Sequence, residues 1–362
     1  MGAFLEKPKT DKTLEHGEGN GLRYGVASMQ GWRVNMEDAH MAKTNLGGTL
    51  ADWSYFAVFD GHAGARVSAH CAENLLDAIV AGEFQEDVIK GIHNGFLKLD
   101  NNMRELLEVS SDKSGTTAVC AFVSPRQIFI ANCGDSRAVL SRSGNPVFTT
   151  QDHKPNLPLE RARIMDAGGS VLIQRVNGTL AVSRALGDYV YKNVKGRGPC
   201  EQLVSPEPEI FEINRDEEEY EFMVLACDGI WDVISNKQLC QYIHSRLMVT
   251  DNLEEVTSDV IDTCLYKGSR DNMSIVLVVF PGAPKPTPEA IQANKELEAN
   301  VERRMKEIID DVEYRCRLTN FVTIMEQLSS EFDPDLIQEK SLFIHRTFKE
   351  LCREHSDSDL DA

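Results

Sequence analysis

Phe56-Ala-Val-Phe-Asp-Gly61 and Val224-Leu-Ala-Cys-Asp-Gly229 share one plan, a short apolar run that stops at Asp-Gly. Each run has the length of a strand and ends in a turn-forming pair, so each reads as a buried strand that delivers a carboxylate where it emerges. Similar strand-length runs occupy 55–59, 118–123, 128–131, 138–140, 222–226 and 275–280. The segment Asn132-Cys-Gly-Asp-Ser-Arg137 joins two of them and reads as the turn of a β-hairpin, which favours antiparallel pairing. Apolar residues near a 3.6-residue period predict helices over 66–84, 89–107, 237–248 and 253–266. Strand clusters alternating with long helices predict a layered α+β domain.

The ends of this domain are marked by composition. Gly17, Gly19 and Gly21 precede the first strand-like stretch, Leu22-Arg-Tyr-Gly-Val26, so residues 1–19 read as a polar leader with little structure of its own. At the other end, Pro281-Gly-Ala-Pro-Lys-Pro-Thr-Pro288 holds four prolines, which continue neither a ladder nor a helix. The expected organisation is a domain over 20–282, a linker over 283–288, three amphipathic helices within 289–355 and an acidic tail over 356–362.

The chain has 362 residues, 42% apolar and 26% charged, which excludes global disorder and fibrous classes. Its formal charge of −19 repels nucleic acid and anionic membranes. No apolar run approaches the ~20 residues of a membrane span. Nine scattered cysteines and a start without a secretory apolar segment predict a reducing, intracellular location, cytoplasmic and nuclear, and a monomer is expected. Gly2 is a candidate myristoyl acceptor, although Glu6 stands where the usual motif has Ser or Thr.

Chemistry concentrates at the strand ends. Asp60 and Asp228 follow two apolar runs, Asp271 precedes a third, and Glu37-Asp38 adds an adjacent acidic pair. If these ends converge, the carboxylates repel and protonate unless a divalent cation offsets them. An all-oxygen donor set without His or Cys at zinc spacing suits Mg²⁺ or Mn²⁺. Taken singly, Asp-Gly after a strand is an ordinary turn, Arg33 a surface charge and His62 a structural histidine. Taken together, Arg33 can grip a phosphate dianion and His62 can donate a proton.

Gly31-Trp-Arg-Val-Asn-Met-Glu-Asp38, Phe59-Asp-Gly-His-Ala-Gly64, Asn132-Cys-Gly-Asp-Ser-Arg137, Leu180-Ala-Val-Ser-Arg-Ala-Leu-Gly-Asp188, Ala226-Cys-Asp-Gly-Ile-Trp-Asp232 and Ser269-Arg-Asp-Asn-Met-Ser274 follow one another in an order that resembles the metal-dependent type 2C protein phosphatases. The N-terminal residues and helical tail are similar to the animal alpha/beta branch. The resemblance implies a central β-sandwich of two antiparallel sheets flanked by helices, with two Mn²⁺ or Mg²⁺ ions at one edge. It implies that Asp60 bridges the ions, the Gly61 carbonyl binds one, and Asp228 and Asp271 bind the other. Glu37 and Asp38 would act through bound water, Arg33 would bind the substrate phosphate, and His62 would protonate the leaving oxygen. Asp135 and Asp232, with Asp228, resemble a weaker third metal site.

The implied activity is hydrolysis of phosphoserine and phosphothreonine in proteins by a hydroxide bridging the two ions, without a phosphoenzyme. Phosphate monoesters are so inert that metal activation, charge neutralisation and acid catalysis must combine. Residues 152–200 carry eight Lys or Arg against four acids, a basic segment that can attract phosphopeptides or be a solvated loop. The run Asp216-Glu-Glu-Glu219 reads as a solvated turn.

Three other readings stand beside this one. C-x5-R occurs at Cys120, Cys240 and Cys264, and Cys264 is the best candidate for a cysteine-dependent phosphatase. An aspartyl phosphotransferase would use Asp60 as nucleophile but has His62 where a second Asp is wanted. A catalytically inactive scaffold would use the helical tail for docking, whereas an active enzyme could equally pack that tail on itself or use it to recruit substrates.

Overall fold

The run at 55–59 is apolar at every position because both of its faces are buried. Tyr55, Ala57 and Phe59 pack with residues of two helices, while Phe56 and Val58 point into a second core between two sheets. The computed structural model describes residues 4–110, 112–215, 220–311 and 321–358. Gly2, Asp216–Glu219 and the end of the acidic tail, 359–362, lie outside the described residues.

The chain opens with β1 (Phe4–Gly19) and β2 (Leu22–Arg33), then β3 (Ala39–Thr44), β4 (Ser54–Phe59) and the short β5 (Gly61–His62). Helices α1 (Arg66–Val80) and α2 (Val88–Ser110) lead to the short β6 (Gly115–Thr116), then β7 (Ala118–Val123), β8 (Gln127–Cys133), β9 (Arg137–Arg142) and β10 (Asn145–Thr149). After α3 (Pro158–Asp166) come the small strands β11 (Val171–Leu172), β12 (Arg175–Val176) and β13 (Leu186–Gly187). Next are β14 (Glu209–Asn214), β15 (Phe222–Ala226), α4 (Asp228–Trp231), α5 (Asn236–Leu247), α6 (Leu253–Tyr266) and β16 (Met273–Val279).

Two antiparallel sheets form the sandwich, a six-stranded one ordered β1-β2-β16-β15-β9-β10 and a five-stranded one ordered β14-β8-β7-β4-β3. The core between them is built from Val26, Phe56, Val119, Ile130, Leu140, Met223 and Val276 among others. α1 and α2 cover the outer face of the five-stranded sheet through Val67, Cys71, Leu75, Ile79, Ile92 and Phe96. α6 packs on β2 and β16 on the opposite side. Helices outside two facing sheets give the α+β layering expected from the strand and helix periods.

Two expectations need correction. The leader is not unstructured, because Phe4–Gly19 is a strand paired antiparallel with β2. Its two-residue connection, Asn20-Gly21, has φ of 55° and 71°, the left-handed pair of a type I′ hairpin turn. As an edge strand, β1 keeps most side chains exposed, so it carries no apolar signal. Polar contacts tie it to α6 instead, with Lys12 Nζ 2.7 Å from Asp262 and His16 2.7 Å from Glu254.

The second correction concerns Asn132–Arg137. β8 and β9 do not pair as a hairpin, because β8 lies in the five-stranded sheet and β9 in the six-stranded one. Each strand finds partners in its own sheet, β8 with β7 and β14 and β9 with β15 and β10. The connecting residues cross between the sheets, with Gly134 at φ 122°.

By contact, one compact unit runs to Cys240 and includes Leu253–Ala283, and a second comprises Gln241–Asn252 and the chain from Pro284 onward. The second holds α7 (Pro288–Asp311), α8 (Phe321–Glu331), α9 (Pro334–Glu339) and α10 (Ser341–Ser358). Val301, Met305, Ile308, Ile324, Leu328, Ile337 and Ile344 form its core. The last helix expected from the sequence is interrupted at Lys340, whose ammonium bonds Asn294 and, at 2.7 Å, Glu298. Among the described residues no helix is long and apolar enough to cross a membrane.

Candidate active site

The strand ends converge as their sequence suggests. Asp60 leaves β4, Asp228 leaves β15 and starts α4, and Asp135 lies on the crossing between the sheets. Carboxylate oxygens of Asp60, Asp135 and Asp228 all lie within 4.8 Å of one another, and Asp38, Asp60 and the Cys227 thiol form a second such group. Burial and mutual repulsion raise Asp60 and Asp228 well above the ordinary carboxylate range. Burial likewise lifts Asp38 to about 7, against hydrogen bonds that favour its charge.

Glycine is required twice for close packing rather than for a positive φ. A Cβ at Gly61 would overlap the carbonyl oxygen of Glu37, and one at Gly229 would overlap that of Asn272. The two Asp-Gly pairs are therefore matching sites of backbone approach. Asn272 secures this end of the molecule: its Oδ1 accepts the Glu37 N–H at 2.9 Å, and its Nδ2 donates to the carbonyls of Gln30 at 2.8 Å and Asn35 at 3.0 Å. Ser274 Oγ donates to Asp38 Oδ2 at 2.7 Å.

Arg33 and Asp271 form an ion pair at the rim, each side chain about a third exposed. His62 Nε2 lies 2.6 Å from Asp188 Oδ2. Lys154 pairs with the buried Asp135, and the surrounding acids more than offset the desolvation of its ammonium. Asp232 is exposed, and partial desolvation with repulsion from Asp135 and Asp271 raises its carboxyl against the pull of Lys154.

Every residue that the sequence nominates for this chemistry and that lies among the described residues falls in this region. Sequence reasoning missed Asp188, Lys154, Asn272 and Ser274. Asp188, Asn272 and Ser274 lie within the motif segments already quoted, so their positions were visible but not their contacts. Lys154 belongs to the basic segment, which is partly neutralised by Glu160 within it and by acids outside it. Arg163 and Arg184 each approach Glu160 at 2.7 Å, and Lys192 approaches Asp100 at 2.8 Å. Arg161, Arg175, Lys195 and Arg197 remain exposed.

The cysteine alternative does not survive the structure. Cys264 is fully buried in α6, and burial pushes its thiol up to about 12. Cys120 and Cys240 are buried as well, at about 12 and about 11 for the same reason. A nucleophilic cysteine needs a lowered pKa and access to substrate, and these have neither.

Residues 22–273 match the family model of Protein phosphatase 2C, and residues 274–349 match that of the Protein serine/threonine phosphatase 2C C-terminal domain. The chain is 54% identical over 347 residues to Protein phosphatase 1A of Bos taurus, covering 93% of this chain and 90% of that protein. It is 55% identical over 352 residues to Protein phosphatase 1B of Rattus norvegicus, with the same coverage of 93% and 90%. A crystal structure of a phosphatase from Toxoplasma gondii superposes with a TM-score of 0.66 at 26% identity, covering 75% of this chain and 96% of that one. The chain therefore belongs to the protein phosphatase 2C family of metal-dependent serine/threonine protein phosphatases.

Proposed function

We propose that the converging carboxylates form the catalytic centre at which this chain hydrolyses phosphoserine and phosphothreonine in proteins, with two Mg²⁺ or Mn²⁺ ions and without a phosphorylated enzyme intermediate. The observation that carries this reading is the group of half-buried Asp60, buried Asp135 and half-buried Asp228 within 4.8 Å, joined through Asp60 to Asp38. Such a group is repulsive in itself, and its donors are the hard oxygens that these ions prefer. Asp38 Oδ1 is buried with no partner beyond the Cys227 thiol, which fits a site completed by a cation and its waters.

In this reading Asp60 would be shared by both ions, the Gly61 carbonyl would hold one, and Asp228 and Asp271 would hold the other. Glu37 and Asp38 would act through bound water. When bound, the ions supply water acidified toward neutrality and offset charge on the phosphoryl oxygens.

The chain's own residues do the rest. Arg33 is oriented by Asp271 and has a buried Nε without a partner, so guanidinium N–H groups remain to hold a phosphate dianion. His62 donates a proton to the leaving serine or threonine oxygen, and Asp188 holds the ring in place. A weaker third ion would use Asp135, Asp228 and Asp232, sharing Asp135 with the Lys154 ammonium. The exposed Arg161, Arg175, Lys195 and Arg197 would favour phosphorylated segments. We extend the reading to a monomer in the cytoplasm and nucleus, with Gly2 as a lipid acceptor and the C-terminal unit as a packing or recruiting element.

The test is hydrolysis of a phosphothreonine peptide and an aryl phosphate in EDTA, Mg²⁺ or Mn²⁺. Activity that depends on the ion, disappears in Asp60→Asn and persists in Cys264→Ser is expected. Activity that resists EDTA and is lost in Cys264→Ser would overturn the reading, and inactivity under every condition would favour the scaffold.

A further inference from the structure

Away from the carboxylate centre, three side chains of different donor chemistry meet on the first unit. His93 projects from α2, Cys200 from the 3-10 turn Pro199–Glu201, and Glu207 from the segment ahead of β14. Their ligand atoms all lie within 4.8 Å of one another, and all three residues are half-buried. His93 Nε2 is 3.3 Å from Glu207 Oε1. That is long for a direct N–H···O bond, which centres near ~2.9–3.0 Å. It is the separation of two donors bound at ~2.0–2.1 Å to a common tetrahedral ion, about 3.3–3.4 Å.

The donors are held from behind. Asn94 Nδ2 donates to Glu83 at 3.0 Å, which turns its Oδ1 toward His93 Nδ1 at 3.4 Å. That contact is as loose as the one to Glu207; were it to tighten on metal binding, the proton would sit on Nδ1 and the Nε2 lone pair would face the cluster, the outer-shell arrangement of a metal-binding histidine. Pro206 and Pro208 restrict the backbone on both sides of Glu207. Its N–H donates to Ser205 Oγ at 3.1 Å, and its carbonyl accepts from Arg184 at 3.1 Å. The turn carrying Cys200 is closed by the Gly198 N–H, which donates to Glu201 Oε2 at 2.9 Å.

We propose that His93, Cys200 and Glu207 bind one Zn²⁺ ion, with water in the fourth position. Sulfur, imidazole nitrogen and carboxylate together suit zinc and disfavour the hard ions of the catalytic centre. Binding replaces the Cys200 S–H bond by a sulfur–zinc bond and releases the proton to solvent. The ion would clamp α2 to the segment that leads into β14, so its binding adds to the stability of the folded chain.

Full-length protein in excess Mg²⁺ is titrated with Co²⁺ as a spectroscopic probe and then with Zn²⁺. The expected result is a thiolate-to-cobalt charge-transfer band that Zn²⁺ displaces, that persists in Asp60→Asn and that is lost in Cys200→Ser. His93→Ala and Glu207→Gln should each weaken Zn²⁺ binding by at least about 100-fold, because loss of an outer-shell partner alone costs up to that much. Circular dichroism of each variant verifies that it is folded. No band, a band retained in folded Cys200→Ser, or a band lost in Asp60→Asn and so owed to Cys227 would overturn the proposal.

Discussion

His62 Nε2 lies 2.6 Å from Oδ2 of Asp188, whose side chain is only 4% exposed. Burial by itself would favour the neutral ring, but the Asp188 carboxylate and its hydrogen bond outweigh burial and raise the His62 pKa. The protonated form therefore persists to higher pH than for a free imidazole. Asp188 adopts φ 52°, a conformation that Asn tolerates better than Ala, so Asp188→Asn removes the charge with little backbone strain. We expect the basic limb of the pH–rate profile to move to lower pH and turnover of a phosphothreonine peptide to fall about 10- to 100-fold, below the ~10²–10⁴ of full acid catalysis. An aryl phosphate, with its better leaving group, should be affected less. An unmoved pH limb would show that Asp188 does not act through His62.

The crowded carboxylates make the metal-free protein pH-sensitive. Asp60 and Asp228 are raised well above the usual range, and Asp38 to about 7. The folded chain then holds protons that the unfolded chain has released. The associated stability is complete below the unfolded carboxylate pKa of ~4 and is lost as pH rises through each folded pKa. In EDTA the melting temperature should fall between about pH 4 and about pH 7, where the unfolded chain has released the proton that folded Asp38 keeps, and Mg²⁺ or Mn²⁺ should restore it. Asp60→Asn should flatten the EDTA profile, and a rise in metal-free stability across that window would contradict the repulsion.

Glu160 is a buried structural anion. Only 3% of its side chain is exposed, and it accepts from Arg163 at 2.7 Å, Ser183 at 2.6 Å and Arg184 at 2.7 Å. Burial opposes its charge, but these partners win and hold it at about 2. A lowered carboxylate pKa contributes stability above the unfolded value and loses it as pH falls toward 2. Glu160→Gln leaves two guanidinium groups poorly compensated and should destabilise the protein by about 3–5 kcal/mol in urea unfolding at neutral pH. A loss below about 1 kcal/mol would mean that the arginines find water instead.

Gly229→Ala should be more harmful than its single methyl suggests. The new Cβ would overlap the Asn272 carbonyl oxygen and press on Asp271. Overpacking of this kind destabilises by about 1–3 kcal/mol, and here it is expected also to shift Asp271, which the proposed reading places at the ions. Gly198→Ala is the control: its φ is −68° and the nearest atom to a new Cβ is 3.6 Å away. Thermal unfolding should separate the two variants, with the control within about 0.5 kcal/mol of wild type. Equal stability and activity in both would show that the Asn272 backbone yields freely.

The most buried strands were the most legible. β4, β7, β15 and β16 are covered on both faces, so their sequences are continuous apolar runs that need no partner to be recognised. β1, β10 and β14 alternate between exposed and half-buried positions, and their polar residues resemble loop. For β1 the one local signal was Asn20-Gly21, whose left-handed turn was there to be read.

By itself, the sequence determined the layered α+β class, the main helices and the acidic residues at the strand ends, because strand periodicity, helix periodicity and Asp-Gly turns are local properties of the chain. Only the tertiary structure decided that Asn132–Arg137 crosses between sheets, that Asp188 holds His62, that Lys154 meets Asp135 and that His93, Cys200 and Glu207 form a common donor set. The physical reason is the same in each case. Pairing partners and charge neighbours are selected by burial and by the packing of the two sheets, and those forces join residues that have no relation along the chain.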